Sequence, residues 1–187
     1  MDPNAGGTGS QRVETGPVVQ LVVFRVGPEE YGLDIHRIKE VINPIRITSV
    51  PRAPSFVEGV VELRGTIVPI IDLRKRFEVP AAPLGRKGKY LIVGMKGRVV
   101  GLVVDAVVET VRVPVSEIRS PPELFADALA AAFFEGVCYM KGRILFILNL
   151  DRILTSKERL RIGLVAGAMA DKVAREQGEE DGNEETP

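Results

Sequence analysis

The chain contains itself twice. Residues 59–77 read GVVELRGTIVPIIDLRKRF and residues 136–154 read GVCYMKGRILFILNLDRIL. Without a gap, both follow G-V-x-x-[LM]-[RK]-G-x-I-[VL]-x-I-[IL]-[DN]-L. A second matching pair lies upstream, GLDIHRIKE from Gly32 to Glu40 and GLVVDAVVE from Gly101 to Glu109. The offset is 69 residues for the upstream pair and 77 for the downstream pair, so the second copy carries about eight extra residues between its motifs. Two copies in the same order predict two similar units packed together. The seam between them is a natural binding site.

Each copy reads as short strands. Residues 18–26 are β-branched and predict a strand, followed by a turn at Pro28-Glu29-Glu30 and a second strand from Tyr31 to Ile35. Ile35, Ile38 and Val41/Ile42 are then spaced as in a short helical turn, which Asn43-Pro44 ends. The motif at 59–71 predicts a hairpin turning at Arg64-Gly65, and Lys141-Gly142 does the same in the second copy. Pro69 cannot donate to a ladder, so its strand lies at an edge or is bulged there. Asp72 and Asn149 fall at equivalent strand ends as helix N-caps.

Residues 78–88 link the copies, and strands follow at 89–95, 98–105 and 107–113. Ser120-Pro121-Pro122-Glu123 predicts a capped helix running to about Ala132. Thr155 and Glu158 form a second capping box, opening a C-terminal helix with an apolar stripe of Leu160, Leu164, Val165, Ala168, Met169 and Val173. Residues 1–16 and the acidic tail beyond Gln177 read as disordered. About five short strands per copy are too few for a sandwich, and a small, partly closed barrel per copy hides most edges. The domain reading is residues 17–158, with a first barrel at about 17–80 and a second at about 87–155. Strand exchange between them stays open, and 159–187 forms a helix and tail.

Composition narrows function by exclusion. No apolar run reaches the ~18 residues of a spanning helix, and the polar, Gly-rich N-terminus is not a signal peptide. One cysteine forbids an internal disulfide and suits the cytoplasm. Residues 176–187 hold six acids and no base, which leaves 25 basic against 19 acidic residues elsewhere. That excess is too mild to demand nucleic acid. The basic clusters Arg74-Lys75-Arg76 and Arg86-Lys87-Gly88-Lys89 lack interleaved aromatics and read as solvated loops. There is no phosphate-binding glycine loop and no metal-spaced Cys/His set, and His36 is the only histidine. Cys138 reads as a small buried hydrophobe, and Glu29-Glu30 as solvated turn residues. No catalytic residue, cofactor or metal is expected.

Two features remain open. Arg64 is either a surface cation half-paired to Glu62 or a bidentate contact for a partner, which Lys141 could not copy. The stripe Ile35, Ile38, Val41, Ile42 is either core or the floor of a groove for an amphipathic helix.

The same residues resemble the CheW family of bacterial chemotaxis adaptors over about 18–157. The resemblance is carried by EEYGLDIHRIKEVI (29–42), VPRAPSFVEGVVELRG (50–65), TIVPIIDLRKRF (66–77), VVGLVVDAV (99–107) and the second hairpin. It implies two SH3-like five-stranded β-barrels, no catalysis, and a cytoplasmic scaffold recruited to the inner membrane face. The implied partners are the regulatory domain of the histidine kinase CheA and the helical tip of a chemoreceptor. By matching positions, Arg64 is the family's receptor-associated arginine. Ile35, Ile38 and Val41 line the receptor groove beside Glu40, while kinase contact lies in the second barrel, about 87–155. Glu62 departs from the family's usual Asn and would hold the guanidinium. A small-barrel nucleic-acid-binding protein is the alternative.

Overall fold

The computed structural model describes residues 16–80, 83–121 and 132–181. Ten strands form two five-stranded sheets. The first copy supplies β1 (Val18–Val26), β2 (Glu29–Asp34), β3 (Ile38–Ile42), β4 (Val57–Leu63) and β5 (Thr66–Asp72). The second supplies β6 (Lys89–Met95), β7 (Arg98–Val104), β8 (Ala106–Pro114), β9 (Phe134–Met140) and β10 (Arg143–Leu148). One-turn helices α1 (Leu73–Arg76) and α2 (Leu150–Ile153) end the two copies, and α3 runs from Ser156 to Asp181.

The sheets do not follow the copies. One has the order β8-β1-β2-β10-β9 and the other β3-β6-β7-β5-β4. Replacing each strand by its repeat partner converts the first order into the second. Each copy therefore lends its first hairpin to the sheet built from the last three strands of the other. A boundary near residues 80–87 divides the sequence but not the sheets. We call them barrel A (β1, β2, β8, β9, β10) and barrel B (β3 to β7).

Three apolar cores follow from this exchange. Leu21, Val23, Val111, Cys138 and Leu145 fill barrel A. Val61, Val68, Ile70, Tyr90 and Ile92 fill barrel B. Between the barrels lies a larger shared core containing Phe24, Tyr31, Leu33, Leu91, Val93 and Leu102. The exchanged strands are buried on both faces. In β6, for example, Tyr90 and Ile92 face the barrel while Leu91 and Val93 face the shared core. This explains why such strands read as continuous apolar runs instead of alternating ones.

Tyr31 is the hub of the shared core, with ring centroids 6.0 Å from Phe24, 5.2 Å from Phe77, 5.7 Å from Phe134 and 6.2 Å from Phe146. Aromatic residues are scarce in this chain, and this cluster absorbs five of the ten.

Gly32 and Gly101 mark the joint between exchanged and resident strands. Among the described residues the only parallel pairings are β10 with β2 (Ile147 opposite Gly32) and β5 with β7 (Ile70 opposite Gly101). A Cβ on Gly101 would lie 2.5 Å from Ile70 Cδ1 on β5, and one on Gly32 would lie 3.2 Å from Leu145 Cδ2 on β10. The repeated glycines thus let a foreign strand approach closely.

Several expectations change. Residues 35–42 are not one helical stripe: Ile35–Arg37 is a 3-10 turn, and Ile38–Ile42 is a strand paired to β6 with a bulge after Ile38. Ile38 and Ile42 pack inward while Val41 stands 44% exposed on the opposite face. Helical spacing and a bulged strand coincide over so short a window. Glu30 is not a solvated turn residue, since in β2 it pairs with Arg25 and Arg143. The C-terminal helix continues past Gln177 to Asp181, and its Leu160 and Leu164 face solvent while Ile162 is buried. Pro69 lies just before β5 begins to pair with β7 at Ile70, so its missing donor breaks no parallel bond. The helix expected up to Ala132 falls mainly on 122–131, and the terminal segments 1–15 and 182–187 likewise lie outside the described residues.

Gly101→Val should destabilise the fold by about 1–3 kcal/mol through overpacking against Ile70, read as a lower urea midpoint at an unchanged slope. Burial and neighbouring Glu29 push the Tyr31 hydroxyl up to about 12. Folding therefore favours the protonated phenol, and stability falls as pH rises from about 10, the unfolded value, towards 12. Tyr31→Phe should remove that alkaline loss in denaturation curves measured between pH 9 and 11.

Candidate protein-docking site

The site grows from barrel closure. In barrel B the edge strands β3 and β4 are brought together by the loop between them. Thr48 N donates to Val60 O at 2.8 Å, and Val60 N donates to Thr48 O at 2.9 Å. In barrel A the same job is done by Arg119 and Val137, at 2.9 and 2.8 Å. Val60 and Val137 are repeat partners. The glycine before each is needed because the closing strand passes against it. A Cβ on Gly59 would sit 2.2 Å from Thr48 O, and one on Gly136 would sit 3.1 Å from Arg119 O.

An ion pair latches each closure. Arg64 occupies the β4–β5 turn with φ 51°, followed by Gly65 at 73°, as a two-residue hairpin of mirror-image twist requires. Its Nη2 donates to Glu40 Oε2 on β3 at 3.0 Å. Lys141 and Gly142 repeat these angles (51° and 76°), and Lys141 Nζ donates to Glu109 Oε2 on β8 at 2.7 Å. Glu40 and Glu109 are themselves repeat partners. The expectation that Glu62 holds Arg64 is corrected: the partner is Glu40, brought across by closure, and Glu62 is exposed on the outer face. Lys141 does copy the role of Arg64 within the fold. The upstream and downstream offsets, read together, were the available signal for this pairing.

In barrel A, Arg143 adds contacts to Glu109 and Glu30. Lys141 and Arg143 hold the Glu109 carboxyl below its ordinary range, with the Lys141 hydrogen bond the largest cause.

The barrel-B surface thus presents Arg64 with 81% of its side chain exposed, Glu40 beneath it, Val41 exposed on the adjacent edge, and Glu62 alongside. Ile38 lies partly buried against the shared core, and Ile35 sits in the turn before β3. The equivalent barrel-A surface carries Lys141 between exposed Tyr139 and Ile144, which face each other across β9 and β10.

The motif acid Asp72 does different work. Its Oδ1 accepts from Arg74 N at 2.8 Å as the α1 cap, and its Oδ2 accepts from Arg74 Nη2 at 2.6 Å. Both residues are buried. The Asp72 hydrogen bond raises the Arg74 guanidinium above its ordinary pKa despite burial. Asn149 caps α2 through Asp151 N at 3.0 Å without an ion pair.

Two bridges tie each terminal turn to the other copy with the charges interchanged: Arg74 to Asp105 at 3.4 Å, and Asp151 to Arg37 at 3.2 Å. Arg76 lies over the Phe56 and Phe133 rings (4.5 and 4.9 Å) and reaches Ile153 O and Glu158. Lys75 pairs with Glu58. The basic run at 74–76, read as a solvated loop, is therefore built into the fold. Cys138 is buried, which pushes its thiol pKa up, as a packing residue requires.

The family model described as the CheW-like domain matches residues 20–158. The chain belongs to the CheW-like family. Chemotaxis protein CheW of Klebsiella aerogenes is 34% identical over 147 residues, covering 79% of this chain and 88% of that protein. Protein FrzA of Myxococcus xanthus is 35% identical over 147 residues, covering 76% and 90%. The crystal structure of scaffolding protein TtCheW from Thermoanaerobacter tengcongensis has a TM-score of 0.70 at 33% identity, covering 78% of this chain and 94% of that one. In this CheW-like chain, the shared motif is accordingly a set of folding instructions: glycine for closure, cation and glycine for the latched turn, acid or amide for the cap.

The two arginine–carboxylate pairs should differ sharply in worth. Asp72→Ala removes the α1 cap together with the 2.6 Å ion pair of the buried Arg74 guanidinium, so it should cost about 3–5 kcal/mol. Arg64→Ala breaks an exposed pair and should cost under about 1 kcal/mol. Equilibrium urea unfolding of the two variants tests the contrast.

Proposed function

We propose that the chain is a non-enzymatic adaptor joining the helical cytoplasmic tips of chemoreceptors to the regulatory domain of the histidine kinase CheA. It would then act at the inner membrane face through its receptors. Kinship with chemotaxis proteins and with a protein titled a scaffold supports this reading.

The observation that carries it is the Arg64 surface. A cation fixed by a carboxylate, raised well into solvent and flanked by an exposed valine, matches what one face of an amphipathic helix requires. Arg64, Glu40, Glu62 and Val41 form the contact surface, with Ile38 and Ile35 beneath. Kinase contact belongs to the surface supplied mainly by the second copy, where Tyr139 and Ile144 replace Glu62 and Ile67. A duplicated fold with unequal latches supports two different partners better than one partner twice. Asp72, the motif carboxylate, is committed to a cap and an ion pair. The aromatic side chains that base stacking would need are gathered in the core, and among the described residues only Tyr139 is exposed.

Arg64→Glu should weaken binding to a receptor-tip fragment at least tenfold while leaving CheA regulatory-domain binding unchanged, measured by calorimetric titration of each. The double variant Glu40→Arg/Arg64→Glu rebuilds the latch with reversed polarity. It should recover stability but not receptor binding. Equal loss for both partners, or recovery of receptor binding in the double variant, overturns the assignment.

A further inference from the structure

The two barrels also differ where their parallel strands meet. In both, the parallel strands pair only part of the way along, from Phe146–Tyr31 in barrel A and from Ile70–Gly101 in barrel B, and are unpaired before that. In barrel A this place is occupied by the Arg143–Glu30 ion pair and by Phe146 against Tyr31, 6.2 Å between centroids, where the parallel pairing begins. The repeat partners in barrel B are Thr66, Val99, Pro69 and Val100. None of these can make an ion pair or a ring contact. They line a cavity of about 480 Å³ instead. α3 forms the opposite wall, with buried Ile162 and with Ala166.

The charged side chains lining this cavity are two arginines. Arg159 is spent: it donates to Asp151 O at 3.1 Å, to Leu154 O and to Ser156 Oγ at 2.9 Å. Arg98 is not. Among the described residues its guanidinium makes no hydrogen bond or ion pair. It lies against bare helix backbone at Gly163, where a Cβ would fall 1.3 Å from Nη1.

We infer that this cleft binds a small amphipathic monocarboxylate of the medium-chain fatty-acid class. The apolar tail lies between the unpaired strand stretches and α3, and the head is held by Arg98. The volume falls in the usual ligand range of roughly 300–1,000 Å³. A planar guanidinium with free N–H groups matches a carboxylate in a two-point contact. The apolar walls provide the main attraction for the tail. Thr66 lines the cleft two residues from Arg64, so an occupant abuts the hairpin proposed for receptor contact without using its residues.

The test uses the full chain, titrated with sodium octanoate and separately with 1-octanol, and followed by the methyl NMR signals of Val99, Val100 and Ile162. Wild type should show saturable shifts with octanoate. Arg98→Gln should weaken octanoate about tenfold and leave 1-octanol unchanged. Ala166→Leu, which fills the cleft from a helical position, should abolish both. Absence of saturable shifts in wild type overturns the inference. So does an Arg98→Gln variant that binds octanoate as wild type does or loses both ligands equally, and so does an Ala166→Leu variant that still binds.

Discussion

Every other feature of this molecule depends on the packing of one hairpin from each copy into the sheet of the other. The exchange places β1, β2, β6 and β7 in the middle of their sheets, buried on both faces. It thereby creates the shared core around Tyr31. Neither barrel could retain this core alone, because the residues filling it come from both copies in both sheets. The electrostatic ties obey the same logic. Arg74–Asp105 and Asp151–Arg37 each join the last turn of one copy to the segment that follows the lent hairpin of the other, and their inverted polarity shows that the tie matters more than its direction.

Within that frame, the repeated motif separates into parts with different physical jobs. Buried parts, such as Asp72 with Arg74, fix α1 and tolerate little change. Latch parts, such as Arg64 with Glu40, lie in solvent where their Coulomb energy is small, and so are free to take on a partner at modest cost to the fold. A turn residue whose first duty is to close a barrel is for this reason suited to the contact role proposed for it. The second latch, with Tyr139 and Ile144 beside it, shows how the same device diverges once duplicated.

Much of this was legible in the sequence. The hairpin turns at Arg64-Gly65 and Lys141-Gly142, the caps at Asp72 and Asn149, and the Thr155–Glu158 box all depend on interactions within a few residues, and local spacing reports such interactions directly. The box is reciprocal as expected, with Thr155 N to Glu158 Oε2 at 2.7 Å and Glu158 N to Thr155 Oγ1 at 3.2 Å. What local spacing could not report was which copy each strand joins. Strands buried on both faces carry no inward-outward alternation, so β6 and β7 look the same whichever barrel receives them. Arg64's partner was misread for the same reason: Glu62 is near in sequence, Glu40 only in space. The stripe at 35–42 failed because a one-residue bulge shifts the strand period into apparent helical register.

The exchange of hairpins has a consequence for history and for synthesis. A lone copy, half this length, would expose the places where the foreign hairpin belongs, and could satisfy them only by trading hairpins with an identical chain. The present protein is thus equivalent to a domain-swapped homodimer whose subunits have been joined end to end. As it leaves the ribosome, barrel A cannot close until β10 has been made. The first half of the chain must wait unfinished for the second, and the two barrels are expected to fold as one cooperative event of high contact order.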